Sequence, residues 1–511
     1  MAYIDGNKSA SSIIDKQYDV TIIGAGAAGV MLASILSKKK KKVLLVETGR
    51  FGENEQMQKL NAVVQTGKFL RNAIWGRKRA IGGTTIAWGG QSLPFEDHDF
   101  QKKEWVLNSG WPLKKAELEE HYNQANSFMK VDLLDYQDDI FRLLRKKPLL
   151  LKGEELFEHF SKWSPSPNFI KSERNLHRHV DILYNVTATD FIFEKNTVKR
   201  LKVKNHLQEE HVLDTNQLVI AAGAIESVRL LLLNSKSKKE SSPISSEWLG
   251  KCFMDHPCIE VGTISLENTK KLQKRFSTQF VRSKKYSVRL SLSKKFIYSK
   301  KLLSASASIM FAYKDPTDNP YFQAKKAICS KRPMELLALL KKIGTFFKIG
   351  KHLLFDQFIY RPNSKAVVTI MAEQEPIKES YLSLCNEKDI FDVEKIRVNW
   401  QISSRTWESI IELARAISEE FDAWDMGQMN IYPQIRASNP EWETLLSDVN
   451  HHMGGSRMSD SKEDGVVDKD LKVWGVENLF VCSCSVFPTS SHSNPTLTLL
   501  ALASRLAEKF S

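Results

Sequence analysis

Residues 18–47, YDVTIIGAGAAGVMLASILSKKKKKVLLVE, constrain the fold of this chain more than any other stretch. Val20, Ile22 and Ile23 form a short apolar, β-branched run, and Gly24, Gly26 and Gly29 follow as G-x-G-x-x-G. Residues 28–36 read as a helix of small residues, and residues 43–46 as a second apolar strand closed by Glu47. Each position has a chemical reason. Gly24 permits a tight turn, Gly26 lets a pyrophosphate approach the backbone, and Gly29 lets the helix lie close on the strand. The helix N-terminus faces the phosphates. An acidic residue about 20 positions past the glycines suits a ribose hydroxyl, and Glu47 fills that place. A lone glycine motif would be weak. Set inside a complete strand–turn–helix–strand unit, it predicts a dinucleotide site.

At 511 residues, 42% hydrophobic and 26% charged, the chain has the composition of a globular protein with two or more domains. It contains no apolar run long enough to span a membrane. Residues 1–17 lack the apolar core of a secretory signal and read as a loose N-terminal arm. The six cysteines (Cys252, Cys258, Cys329, Cys385, Cys482 and Cys484) show no zinc-ligand spacing. Free thiols, a cytoplasmic setting and no metal are therefore expected. Cys482 and Cys484 read as two same-facing residues of one strand. The net charge of +14 lies largely on scattered lysines such as residues 38–42. They are not interleaved with aromatics and no nucleic-acid module is present, so nucleic acid is not an expected partner.

Residues 51–79 are polar and helix-like. Residues 81–91, IGGTTIAWGGQ, place Gly82, Gly83, Gly89 and Gly90 around Thr84, Thr85 and Trp88. That composition suits a loop whose amides wrap an anion or a flat ring. Pro112 can open an amphipathic helix, with Trp111 expected in the core. Residues 135–180 read as alternating helix and loop, and residues 186–203 as a hairpin. Residues 218–234, LVIAAGAIESVRLLLLN, repeat the opening logic, bringing Ala222 and Gly223 to a strand end. Alternating β-branched runs over residues 261–313 and 367–400 predict an antiparallel sheet, hence a second domain. Residues 324–354 between them mix leucine, isoleucine and phenylalanine with Lys341, Lys342, Lys348 and Lys351. This basic amphipathic segment either packs on its own domain or rests on an anionic membrane surface.

Further motifs span nearly the whole chain. They are SGWP at 109–112, AAGAIES at 221–227, MDHP at 254–257, EQEP at 373–376, HHMGGSRM at 451–458, GVVD at 465–468, and NLFV, SVFPT and NPTLT from 478 to 498. In this order, and with the opening unit and the GGTT…WGG loop, they resemble the glucose–methanol–choline (GMC) oxidoreductases. The C-terminal motif is most similar to the pyranose 2-oxidase and bacterial sugar dehydrogenase branch.

The resemblance implies an α/β fold. A discontinuous Rossmann-like FAD-binding domain would be built from residues 18–95, 180–260 and 446–511. Residues 96–179 would form an excursion, partly substrate domain and lid. Residues 261–445 would form an α+β substrate domain with a largely antiparallel sheet. FAD would be contacted by Gly24, Gly26, Ala27, Ala28, Gly29, Glu47, Thr48, the 82–90 loop, Val186, Ala222, Gly223, Glu226, Ser485, Asn494, Pro495 and Thr496. His451 would be the general base and Asn494 its partner, with His452 and His492 as rivals. Such pairing suits the chemistry. A near-neutral imidazole takes a carbinol proton while hydride leaves for the flavin, and an amide holds the oxygen.

The expected reaction is oxidation of a sugar or sugar-like alcohol to a carbonyl, with oxygen, a quinone or a redox protein as acceptor. The alternatives are a hydroxynitrile-lyase-type enzyme, or a membrane-associated sugar dehydrogenase acting on a lipid-linked or polymeric glycan. The sequence also departs from the family pattern. Ala87 stands where some members attach FAD through a histidine, so FAD is expected to be non-covalent. Ser483 replaces a common acidic residue, and Gly455 a common threonine.

Overall fold

The structure is a computed structural model that describes residues 2–9, 16–265, 269–313, 315–330, 342–424 and 426–510. Two large sheets dominate it. The first has six parallel strands in the spatial order Tyr3–Asp5, Asp181–Tyr184, Val43–Glu47, Val20–Ile23, Gln217–Ile220 and Leu479–Val481. Its central strands are buried along their whole length, which accounts for runs such as VTII and VLLVE that do not alternate. The Ala27–Lys38 and Pro495–Lys509 helices pack on each other over this sheet.

The second sheet has eight strands, antiparallel throughout. Its long members are Leu156–Trp163, Cys258–Ile264, Lys284–Leu292, Ala305–Ala312 and Lys365–Ala372. Along these strands one face is apolar. Phe160, Val288, Leu290, Ala307, Ile309, Val368 and Ile370 join one hydrophobic cluster with the Ser404–Phe421 helix. The other face carries polar residues: His159 and Ser161, then Ser287, Arg289 and Ser291, then Ser306 and Ser308. Most of these polar residues are buried, so protein groups or a ligand rather than solvent meet this face.

Several sequence expectations need correction. Residues 3–5 are an edge strand of the parallel sheet, not a loose arm. Residues 51–79 are broken into the short Glu55–Gln58 and Asn72–Trp75 helices and a two-residue strand. Residues 135–180 contain the eight-residue Leu156–Trp163 strand, whose Glu, His and Lys hid its alternation. Glu394–Asn399 leaves the large sheet and pairs with Tyr381–Lys388 and Val64–Gln65. The strand before Cys482 ends at Val481, and Cys484 lies in a tight turn, so these cysteines do not share a strand face. The glycine-rich loop contains a single helical turn, Gly83–Ile86. The basic segment is described as the Pro320–Ser330 and Ile343–Phe355 helices; residues 331–341, including Lys341, lie outside the described residues.

Candidate active site

The glycine turn behaves as its spacing requires. Gly24 takes φ +106°, and a Cβ there would lie 2.5 Å from the Ala221 carbonyl oxygen. A Cβ on Gly29 would meet the Gly24 carbonyl. Gly26 instead faces open space, as does Gly223 at the neighbouring strand end. The loop at 82–90 closes against this turn: Gly82 donates to the Ala25 carbonyl, and Gly83 abuts Gly26. Ala27 and Ala28 begin the helix, with Gly26 as its N-cap. Glu47 is buried at the end of its strand. Its two carboxylate oxygens accept the N–H groups of Ala25, at 2.9 Å, and Gly49, at 2.8 Å. Each keeps a lone pair for a ribose hydroxyl.

Thr48 bonds Thr187, the residue after the buried Val186. Thr48, Thr187, Ala222 and Glu226 line a narrow cavity of about 50 Å³. Glu226 is clamped by Arg77, Arg79 and Arg229, at 3.0, 2.9 and 3.4 Å. These guanidiniums hold its carboxylate far below the usual range despite burial. The arginines lie near the phosphate-facing turn, and sequence reasoning missed Arg77 and Arg79. Some expected contacts turn out to be engaged within the protein. Trp88 donates its indole N–H to the Pro167 carbonyl at 2.7 Å, Thr85 bonds the Gly82 carbonyl, and Thr84 accepts from the Lys78 amide. Gly89 and Gly90 are required by packing: a Cβ on either would lie 2.8 Å from Trp163 or Pro167. The open turn, the carboxylate beside it and the cleft between the two strand ends together fit an FAD.

A histidine cluster forms where the loops around residues 254–257, 449–452 and 490–494 meet. His451 Nε2 is 3.3 Å from Asn494 Nδ2, and His451 Nδ1 is 2.8 Å from His256 Nδ1. His256 Nε2 is 3.1 Å from the Ser490 carbonyl oxygen. This chain of contacts fixes the protons. A carbonyl can only accept, so His256 carries its hydrogen on Nε2. Burial pushes His256 down to about 4, so it is neutral and its Nδ1 is an acceptor. His451 must therefore donate from Nδ1, which leaves a lone pair on Nε2 beside the Asn494 amide. His451 is itself pushed well below the ordinary histidine value, by burial and then by His256, His452 and Arg289.

The two histidine loops are tied together by Asp255, whose Oδ1 accepts the N–H groups of His256 (2.6 Å), His451 (3.0 Å) and Val449 (3.4 Å). Burial, with Asp448 nearby, raises Asp255 to about 8. Gln374, from EQEP, accepts the Asp255 amide and the Trp400 indole N–H. Ser485 bonds Ser456, holding the loop that follows His451. Asn494 is the N-cap of the C-terminal helix, with Pro495 in its first turn and Thr496 next. That helix N-terminus is a favourable place for negative charge.

Neither rival histidine reaches Asn494. His452 Nε2 lies 3.6 Å from Asp255 Oδ2, and His492 turns to Ser291 on the large sheet. Asp255, Asp448 and His452 place ligand-type atoms within 4.8 Å of one another, but one oxygen of each carboxylate is already held by backbone N–H groups. Trp111 is in the core, as expected, and bonds Thr489. His256 and Asp255 were visible as part of MDHP, but nothing in sequence spacing signals contact across 195 residues.

Residues 376–503 match the family described as GMC oxidoreductase, and residues 18–246 match pyridine nucleotide-disulphide oxidoreductase. The chain is 22% identical to the fructose dehydrogenase large subunit of Gluconobacter japonicus, over 96% of this chain and 97% of that one. It is 22% identical to a glucose dehydrogenase [FAD, quinone] of Drosophila melanogaster, over 96% and 86%. Pyridoxine 4-oxidase from Mesorbium loti has a similar fold, with a TM-score of 0.56 at 16% identity, covering 96% of this chain and 99% of that one. The GMC oxidoreductase match covers the histidine–asparagine pair and the pyridine nucleotide-disulphide oxidoreductase match covers the glycine turn; with relatives aligned over nearly the whole chain, they show an FAD-dependent oxidoreductase whose C-terminal part is that of a GMC oxidoreductase.

Proposed function

We propose that this enzyme oxidises a CH–OH group of a sugar or sugar-like alcohol to a carbonyl, with His451 as general base. The observation that carries this reading is the enforced lone pair on His451 Nε2 next to Asn494. FAD, when bound, supplies the hydride acceptor. His451 takes the hydroxyl proton, and Asn494 hydrogen-bonds the same oxygen and holds the carbinol carbon in place. The names of the full-length relatives, a fructose and a glucose dehydrogenase, support a sugar-type donor. Ala87 offers no side chain for a covalent link, which supports non-covalent FAD.

The test is anaerobic addition of sugars and alcohols to the yellow holoenzyme. Bleaching of the flavin band by one class is the expected result, and readmitted air then separates oxidase from dehydrogenase. A flavin that stays oxidised while a cyanohydrin is cleaved would replace this reading with a lyase.

A second reading concerns location. On the Ile343–Phe355 helix, Ile349 and His352 face the protein, while Ile343 (67% exposed), Phe347 (75%) and Leu354 (76%) face out beside Lys342, Lys348 and Lys351. Among the described residues no helix is long and apolar enough to cross a membrane. We propose that this face rests on an anionic bilayer, which would give the enzyme access to a lipid-linked glycan and to a quinone. Co-sedimentation with phosphatidylserine-containing vesicles is expected. Changing Lys342, Lys348 and Lys351 to Glu should weaken it about 100-fold, at roughly 1 kcal/mol per basic residue. Equal sedimentation of both proteins would exclude the contact.

A further inference from the structure

The polar face of the large sheet contains a charge without a counter-ion. Arg289 is 8% exposed, and among the described residues it makes no ion pair and no hydrogen bond. Its Nε is sealed from solvent with no partner. It stands directly across from His159 in the strand register and two residues before Ser291, on the same sheet face. Ser291 Oγ lies 2.7 Å from His159 Nε2 and 3.4 Å from His492 Nε2, two residues before Asn494. Arg289 therefore sits on the sheet face that meets the catalytic loop. The same positive charge helps to push down His451, His256, His159 and His492, which places it near all four imidazoles.

An isolated buried cation is costly, and proteins keep one where something pairs with it. Other buried cations have a partner: Arg77 has Glu226, Arg229 has Glu226 and Asp389, and Lys103 has Glu373 at 2.8 Å. Arg457, also 8% exposed and without a carboxylate among the described residues, lies over the Trp248 ring. Arg289 has neither a carboxylate nor a ring among the described residues. Around it lie further buried polar atoms without partners: Ser306 Oγ, His159 Nδ1, His492 Nδ1 and Asn494 Oδ1. Such a wall suits a ligand with several hydroxyls and one negative charge. With a single guanidinium, charge balance favours a monoanion, and a carboxylate matches its fork.

We propose that the substrate is a polyhydroxylated carboxylate, a sugar acid, whose carboxyl group is paired by Arg289 while its carbinol carbon is held at His451 and Asn494. This rests on the oxidoreductase reading above. Arg289 is a binding residue of that same site.

The test uses holoenzyme and matched pairs that differ in one carboxylate: D-glucuronate against D-glucose, and D-gluconate against D-glucitol. The acid of at least one pair should reduce the flavin about 100-fold more efficiently than its neutral partner, as expected for one buried charge pair. In Arg289→Gln that ratio should fall to near one, mainly through KM, and Arg289→Lys should recover part of it. Equal efficiency of acid and neutral partners in the parent enzyme would overturn the proposal. So would an equal loss for both in Arg289→Gln, which would assign the charge to the flavin.

Binding is measured separately by calorimetry with acetate and acetamide, neither of which can be oxidised at a carbinol. Acetate should bind at least 10-fold tighter than acetamide in the parent and no tighter in Arg289→Gln. If acetate binds so but nothing bleaches the flavin, the redox reading fails and the anion site stands. If acetate binds no better than acetamide, the anion site fails. Because removing an unpaired buried charge relieves strain, Arg289→Gln should melt no lower than the parent. A lower melting temperature would mark Arg289 as a structural tie and overturn the proposal.

Discussion

His451→Ala should slow anaerobic flavin reduction by about 1,000-fold, within the range that a positioned general base supplies. FAD should be retained, because among the described residues His451 bonds neither the glycine turn nor Glu47. His256 should matter through His451. Replacing His256 with Leu removes the acceptor that holds His451 Nδ1–H and frees the ring to present either nitrogen. The expected loss is about 10- to 100-fold in kcat, as for other partners that orient a functional histidine. His256→Asn keeps an acceptor oxygen near the Nδ1 position and should recover part of the rate.

The pH profile separates this role from simple damage. His451 must be unprotonated to act, and its pKa is lowered, so activity should persist as pH falls through the usual histidine value of about 6.5. His256, neutral above about pH 4, accepts the His451 Nδ1–H and so favours the imidazolium; its loss in His256→Leu should move the acid limb to still lower pH. An unmoved limb in that variant would remove His256 from the mechanism.

The second large effect is on stability. Five buried imidazoles (His159, His256, His451, His452 and His492) all have lowered pKa values, and desolvation is the first cause in each. His256 sits at about 4, and His452 and His492 at about 3. The unfolded chain binds protons at these sites near pH 6.5 while the folded chain does not, so the stability they contribute is present above that pH and is lost below it. At pH 5.5 each costs about 1.4 kcal/mol relative to neutral pH, or about 7 kcal/mol together, comparable with the whole stability of many domains. Asp255, Glu47 and Glu158, raised by burial, act in the opposite sense and return part of it. The urea midpoint should therefore fall steeply between pH 7 and pH 5.5. His159→Gln should flatten the dependence. A midpoint that does not change with pH would mean that these rings are protonated in the folded protein.

How much of this was legible in the sequence depends on the range of the interactions. The Gly24–Glu47 unit was legible because turn, helix and strand are neighbours, and each glycine answers a local demand. His451 and Asn494 were legible only through the resemblance. Their contact spans 43 residues and is made by two loops with no periodicity. His256, Gln374 and Arg289 were not assigned roles because their meaning lies in what they face: a carbonyl, a backbone amide and an absence of any carboxylate. The Leu156–Trp163 strand was missed for a related reason. A strand whose second face is buried among polar groups alternates between two kinds of burial, and hydrophobicity alone does not register that.

The order of strands in the parallel sheet bears on how the protein is made. The innermost strands emerge from the ribosome early, but Asp181–Tyr184 and Gln217–Ile220 come much later, and Leu479–Val481 near the end. The Pro495–Lys509 helix, which carries Asn494 at its cap, follows. A nascent chain thus exposes unpaired parallel strands through most of its synthesis, a state prone to aggregation. Loading of the flavin must then follow translation, and a ribosome stalled anywhere before the last strand would release a chain whose nucleotide cleft is incomplete.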